Sequence, residues 1–160
     1  MAFTETLRLV KSLESNDIYE LLENRGVHIV HSPELFTASK SDARIITSLL
    51  GNTWIFLRLR SGEDPVYENY ILWHELGHLE TEGYSARSRS FSLSTSHREN
   101  EVSANAFAFL AIVSGMANVP PSLYELAHKI GMPYLMLSEL MAAMRNDQEF
   151  MHYIYDKTKH

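Results

Sequence analysis

The chain contains no cysteine. That excludes disulfides and every metal site built on thiolates. It also lacks a long basic run: 14 Lys and Arg stand against 20 Asp and Glu, for a net charge of −6. This balance weighs against a nucleic-acid binder, which needs a basic patch to meet phosphate. No stretch approaches the ~20 uninterrupted apolar residues that span a bilayer. The opening, MAFTETLRLVK, has no apolar core of the signal-peptide kind. Nothing repeats at a fixed period, and no segment is of low complexity. These absences lead to the expectation of a cytoplasmic protein with no membrane partner.

Against these absences stands a 45% apolar content over 160 residues. That is enough for a globular domain with a real core. A single domain over 1–160 is expected, with helices in 120–160 as an appended subregion. Thr4 is placed to cap a first helix with Leu7, Val10 and Leu13 inward. Ser15 or Asn16 would cap a second, with Ile18, Leu21 and Leu22 as its stripe and Gly26 at its end. Val27 to His31 reads as a strand. Arg44 to Leu49 and Trp54 to Leu59 read as two more, with Gly51-Asn52 as the turn of a hairpin. Asp64-Pro65 opens a helix running through Tyr70, Trp73 and Leu76. Glu80 to Thr95 reads as a loop. Ser96 and Glu99 have capping-box spacing, so a helix should begin near His97 and run to about Val113. Pro120-Pro121 and Pro133 open two more, and Asn146 would cap a last one carrying Phe150, Ile154 and Tyr155. The expected fold is α+β: a small early antiparallel or mixed sheet of about three strands, then a mostly helical C-terminal half.

The third helix carries His74-Glu75-Leu76-Gly77-His78, an H-E-x-x-H motif. Residues four apart lie on one face of a helix, so His74 and His78 can hold one metal ion together. Glu75 can reach a water beside it, the arrangement a zinc peptidase needs. Trp73, Leu76 and Leu79 make this helix largely buried, and buried histidines and carboxylates need partners. Gly77 costs helix stability relative to alanine and so signals close packing.

A catalytic zinc usually takes three protein ligands. The pattern H-E-x-x-H-x-x-G-x-x-H fails here, because Thr81 and Tyr84 occupy the glycine and histidine positions. Glu80, Glu82, Glu99, Glu101 and His97 are the downstream candidates. Glu80 and Glu82 follow the motif too closely to fold back easily. Glu99 is explained by the capping box. Glu101 shares a helix face with Asn105. Glu101 is therefore the preferred third ligand, with Asn105 orienting one of the histidines.

These two segments together resemble the ImmA/IrrE family of metallopeptidases. Its members carry an HELGH-like helix followed by E-x-x-A-N-x-F-A, here Glu101 to Ala108. The pattern is also similar to the wider gluzincin class, of which thermolysin is a member. The close match spans Asp64 to Ala108. The L-M-P ending frequent after the second motif is replaced by Phe109-Leu110-Ala111-Ile112-Val113. The resemblance implies a zincin-like active-site helix, Zn2+ held by His74, His78 and Glu101, and Glu75 as catalytic carboxylate. Members from phages and mobile elements act on helix-turn-helix repressors. Some cleave the repressor, and others oppose it with little sign of proteolysis. The resemblance thus implies a zinc endopeptidase that relieves repression by cleaving such a repressor. The alternative is a metal-containing anti-repressor that binds and sequesters one.

Leu126 to Leu137 itself has helix-turn-helix spacing, with Ala127 and Gly131 at the expected offset. Its second helix is mostly apolar and includes Glu139. Core or partner packing is the expected role, with no direct DNA binding. The surplus methionines would fill core or line a groove for a partner helix. His97, Tyr84, Tyr67 and His152 are candidates to stabilise an oxyanion. Arg87 and Arg89 are candidates to meet an acidic substrate segment.

Overall fold

In the computed structural model, residues 3–37, 41–83, 87–91 and 99–158 are described, the side chains of 87–91 and 99–100 apart. Two short helices, α1 (Phe3–Lys11) and α2 (Ile18–Asn24), precede strand β1 (Val27–His31). A 3-10 turn over Pro33–Phe36 leads to the strands β2 (Ala43–Thr47) and β3 (Thr53–Leu57). Helix α3 (Pro65–Glu82) and strand β4 (Arg87–Phe91) follow, then α4 (Glu99–Ser114), α5 (Leu123–Ile130), α6 (Tyr134–Met144) and α7 (Gln148–Thr158). This is the expected α+β order. Among the described residues, no helix is long and apolar enough to cross a membrane.

The sheet order is β1-β3-β2-β4, with β1 parallel to β3 and β2 antiparallel to both its neighbours. The expected hairpin is there, and Ser48 N–H closes it on the Asn52 carbonyl at 2.8 Å. Strand β4 corrects the expectation of a loop over Glu80 to Thr95. Its sequence, RSRSF, has no β-branched residue. Pairing with the edge of β2 satisfies its backbone groups and overrides weak local propensity. Alternation works as physics demands: Ala43, Ile45, Thr47, Thr53, Ile55 and Leu57 are buried, while Arg44 between them is exposed.

Thr4, expected to cap the first helix, lies inside α1, which already begins at Phe3. Two further helix starts fall slightly away from their expected caps. Asp17, not Ser15 or Asn16, caps α2 and accepts from Tyr19 N–H at 2.9 Å. Asp147, not Asn146, accepts from Phe150 N–H at 3.1 Å at the head of α7. In each case a neighbouring carboxylate, a stronger acceptor, takes the orphan donors. In α1 the buried positions are Phe3, Thr6 and Val10, with Leu7 half-buried, and Leu13, just past its end, is half-buried too. In α7, Phe150 is buried against Phe3 and Phe109, whereas Tyr155 faces solvent.

Helix α3 is the axis of the molecule. Asp64 caps it, accepting from Tyr67 N–H at 3.2 Å, and Pro65 sits in its first turn. Every residue from Tyr70 to Leu79 is buried. Buried Glu68 accepts from the Tyr19 hydroxyl and from His31 Nε2, which ties α2 and β1 to this helix. At its start, the Gly131 turn between α5 and α6 presses against Val66. Gly131 has φ of +81°, and a Cβ there would lie 2.3 Å from the Val66 carbonyl oxygen. Only glycine tolerates both conditions.

The most extensive contact between elements is that of α3 with α4. A Cβ on Gly77 would lie 3.2 Å from the Cα and carbonyl oxygen of Ala104 and from Phe107 Cβ. The close packing inferred from Gly77 is therefore present. Gly77→Ala gains ~1 kcal/mol of helix propensity. Overpacking against a backbone costs ~1–3 kcal/mol. The expected net result is a lower Tm in thermal unfolding followed by circular dichroism. A raised Tm would show that α3 and α4 can part at no cost.

Candidate functional site

His74, His78 and Glu101 converge where α3 meets α4. Their ligand atoms all lie within 4.8 Å of one another. Glu101 Oε2 is 2.9 Å from His74 Nε2, and Glu101 Oε1 is 3.2 Å from His78 Nε2. The two Nε2 atoms are 3.1 Å apart. The reason is helical spacing. Four residues return His78 to the face of His74, and the glycine between them lets Glu101 come close.

Both histidines are held by their other nitrogen. His74 Nδ1 is 2.7 Å from Asn105 Oδ1, and His78 Nδ1 meets Glu82 Oε2. An amide oxygen and a carboxylate only accept, so each Nδ1 carries the proton. Each Nε2 then turns a lone pair toward Glu101. Exposure is 0% for His74, Glu75 and His78, 2% for Asn105 and 4% for Glu101. Burial pushes the Glu101 carboxyl up, but when the two imidazoles are protonated at Nε2 as well, their hydrogen bonds and charges outweigh it. They hold the group well below the usual carboxylate range. Glu101 is thus an anion, with buried Glu75 on the adjoining turn of α3.

Two imidazole lone pairs and a carboxylate facing one point call for positive charge. Two nitrogens and one oxygen at this spacing form the donor set of a divalent cation such as zinc. The fit is supported by the fixed tautomers, since both Nδ1 atoms are already engaged on the far side.

The structure brings together four of the residues singled out from sequence, His74, His78, Glu101 and Asn105, with Glu75 beside them. It separates others. Glu80 pairs with Arg25 at 2.6 Å. Tyr67 gives its hydroxyl to Asp42 at 2.6 Å. His152 lies on the exposed face of α7, 3.3 Å from Asp156. Tyr84, Ser96 and His97 lie outside the described residues, as do the side chains of Arg87, Arg89 and Glu99. In α6, Met136, Leu137 and Leu140 are buried, while Tyr134 and Leu135 are exposed.

Two residues at the site were not assigned their present roles from sequence. Glu82 holds His78 from outside and is not a ligand. Tyr70 donates its hydroxyl to Asn105 Oδ1 at 2.5 Å. Each lies four residues from a ligand histidine, and that spacing was the available signal.

Comparison with protein-family models, with curated proteins and with solved structures finds no match to this chain. What the site can do follows from its side chains.

Purified protein is expected to take up about one divalent ion per chain. His74→Ala and Glu101→Ala should each lower metal content sharply in elemental analysis. Glu82→Ala should weaken uptake less than Asn105→Ala, because the Glu82 side chain is partly exposed and water can replace it. Undiminished metal in both ligand variants would show that the cluster is not the site.

Proposed function

We propose that the chain is a zinc-dependent endopeptidase of the ImmA/IrrE type that relieves repression by cleaving a helix-turn-helix repressor. The observation that carries this reading is the convergence of His74, His78 and Glu101 beside a buried Glu75. His74, His78 and Glu101 would hold the zinc. A bound zinc supplies Lewis acidity, polarising a peptide carbonyl and making water acidic enough to attack near neutral pH.

The remaining work falls to the chain. Glu75 takes a proton from the attacking water and delivers it to the leaving amine nitrogen. One carboxylate serves both transfers, so no acyl-enzyme is needed. Burial strengthens each electrostatic interaction at the site and sheds bulk water. Asn105 and Glu82 hold the two imidazoles in place while charge shifts. The repressor as substrate rests on the motif resemblance.

The complete burial of Glu75 favours one second reading. In it the metal serves structure alone, and the protein sequesters the repressor without cutting it. Glu75→Gln separates the two. It preserves shape and removes the base. The peptidase reading expects this variant to keep metal, fold and repressor binding while repressor cleavage in a gel assay disappears. Full relief of repression by Glu75→Gln in cells would favour sequestration.

A further inference from the structure

The hydroxyl of Tyr70 is an unusual thing to bury in a helix of this kind. The side chain is fully buried on α3, one turn before His74. Its hydroxyl oxygen is 2.5 Å from Asn105 Oδ1 and 3.3 Å from Met136 Sδ. A phenylalanine would fill the same space without a polar atom to satisfy.

Asn105 is the reason it matters. An asparagine amide can present either end to an imidazole. Its oxygen accepts from a protonated Nδ1, whereas its NH2 group donates to a bare one. The first arrangement leaves the Nε2 lone pair of His74 facing Glu101. The second puts a proton on Nε2, where it blocks a metal. Asn105 alone does not choose between them.

We propose that Tyr70 is a positioning residue that makes this choice: its hydroxyl fixes the Asn105 amide, and through it the metal-binding tautomer of His74. Oδ1 accepts from Tyr70 and from His74 Nδ1 together, filling both its lone pairs. Turning the amide over would aim NH2 at the hydroxyl proton. Methionine sulfur is a weak acceptor, so the amide oxygen remains the better partner for that proton. Burial, and then the neighbouring Tyr67, Glu101 and Glu75, push the Tyr70 hydroxyl well above its ordinary pKa, so it stays a donor. Met136 lies on α6, so this hydroxyl is one link between the C-terminal helices and the site.

This inference rests on the metal reading of the cluster but not on peptidase activity. The test is a double-mutant cycle on zinc affinity, measured by competition with a chromophoric chelator. Tyr70→Phe keeps the ring and should weaken zinc binding, within the ~10–100-fold range typical of outer partners of a ligand. Asn105→Ala should do likewise. Because Tyr70 acts through Asn105, the double variant should be no weaker than Asn105→Ala alone. Wild-type affinity in Tyr70→Phe, or losses that simply multiply in the double variant, would overturn the proposal. A second measurement needs no variant. In the zinc-loaded wild type, 15N spectra should show a proton on Nδ1 of His74, and a bare Nδ1 would equally overturn it. A protein that binds zinc, shows the coupling and cuts nothing would remove the peptidase reading and leave this one standing. A wild type without affinity for zinc would remove both.

Discussion

The site depends on one steric fact, the absence of a side chain at Gly77. Helices usually pack at ~8–10 Å between axes, set by the side chains at the contact. Here glycine meets the backbone of Ala104, so α3 and α4 approach closely with no side chain between them. On α3 the contact is flanked by His74 and His78. On α4 it is flanked by Glu101 and Asn105. Helical periodicity puts each of these four on the rim of the same contact. A methyl group here would press on Ala104 and Phe107, on the same helix that carries Glu101. The geometry of the His74, His78 and Glu101 cluster is therefore a packing property before it is a chemical one.

Placing such groups in a core demands complete pairing. A buried polar atom without a partner costs ~1–3 kcal/mol, and more when charged. For the two histidines, Glu101 and Asn105, the chain meets this demand in a layered way. Glu101 faces both Nε2 atoms. Both Nδ1 atoms find oxygens, one on α4 and one a turn further along α3. Tyr70 then completes the oxygen of Asn105. Outside this shell the helices revert to apolar packing, with Trp73 against Phe107 and a continuous core reaching Phe150. The polar network is thus enclosed largely by apolar groups, with the weak acceptor Met136 Sδ at its edge.

What could be read from sequence follows from this geometry. H-E-x-x-H, Glu101 and Asn105 were legible because one rule, four residues to a turn, places them all. So were the order of elements, the hairpin and the proline- and glycine-marked helix ends. Strand β4 was not, because RSRSF pairs for the sake of the β2 edge and not by its own propensity. The caps of α2 and α7 shifted by one or two positions because several polar residues compete at each start, and geometry selects among them. Tyr70 was hidden by its neighbours. In a run of Tyr70, Ile71, Leu72 and Trp73 a tyrosine reads as core, and only the position of Asn105 gives its hydroxyl a purpose. Glu82 follows His78 by four residues, a spacing that suits the outer role it has and not that of a third ligand.

The C-terminal helices show how one local pattern can arise from a different need. Helix-turn-helix spacing requires a small residue and a glycine turn at fixed offsets so that two helices can meet closely. In α5 and α6 the same offsets serve a contact with α3. The left-handed Gly131 turn fits against the Val66 carbonyl, where any side chain would collide. Behind it, Met136, Leu137 and Leu140 turn inward, and Met136 touches the Tyr70 hydroxyl. A DNA-reading helix must keep a polar, basic face free for base edges and phosphate. Here the inward face of α6 is engaged in packing, and Tyr134 and Leu135 on its outer side are not basic. The glycine turn and the apolar stripe are both accounted for by support of α3, from its first turn to the layer that holds His74.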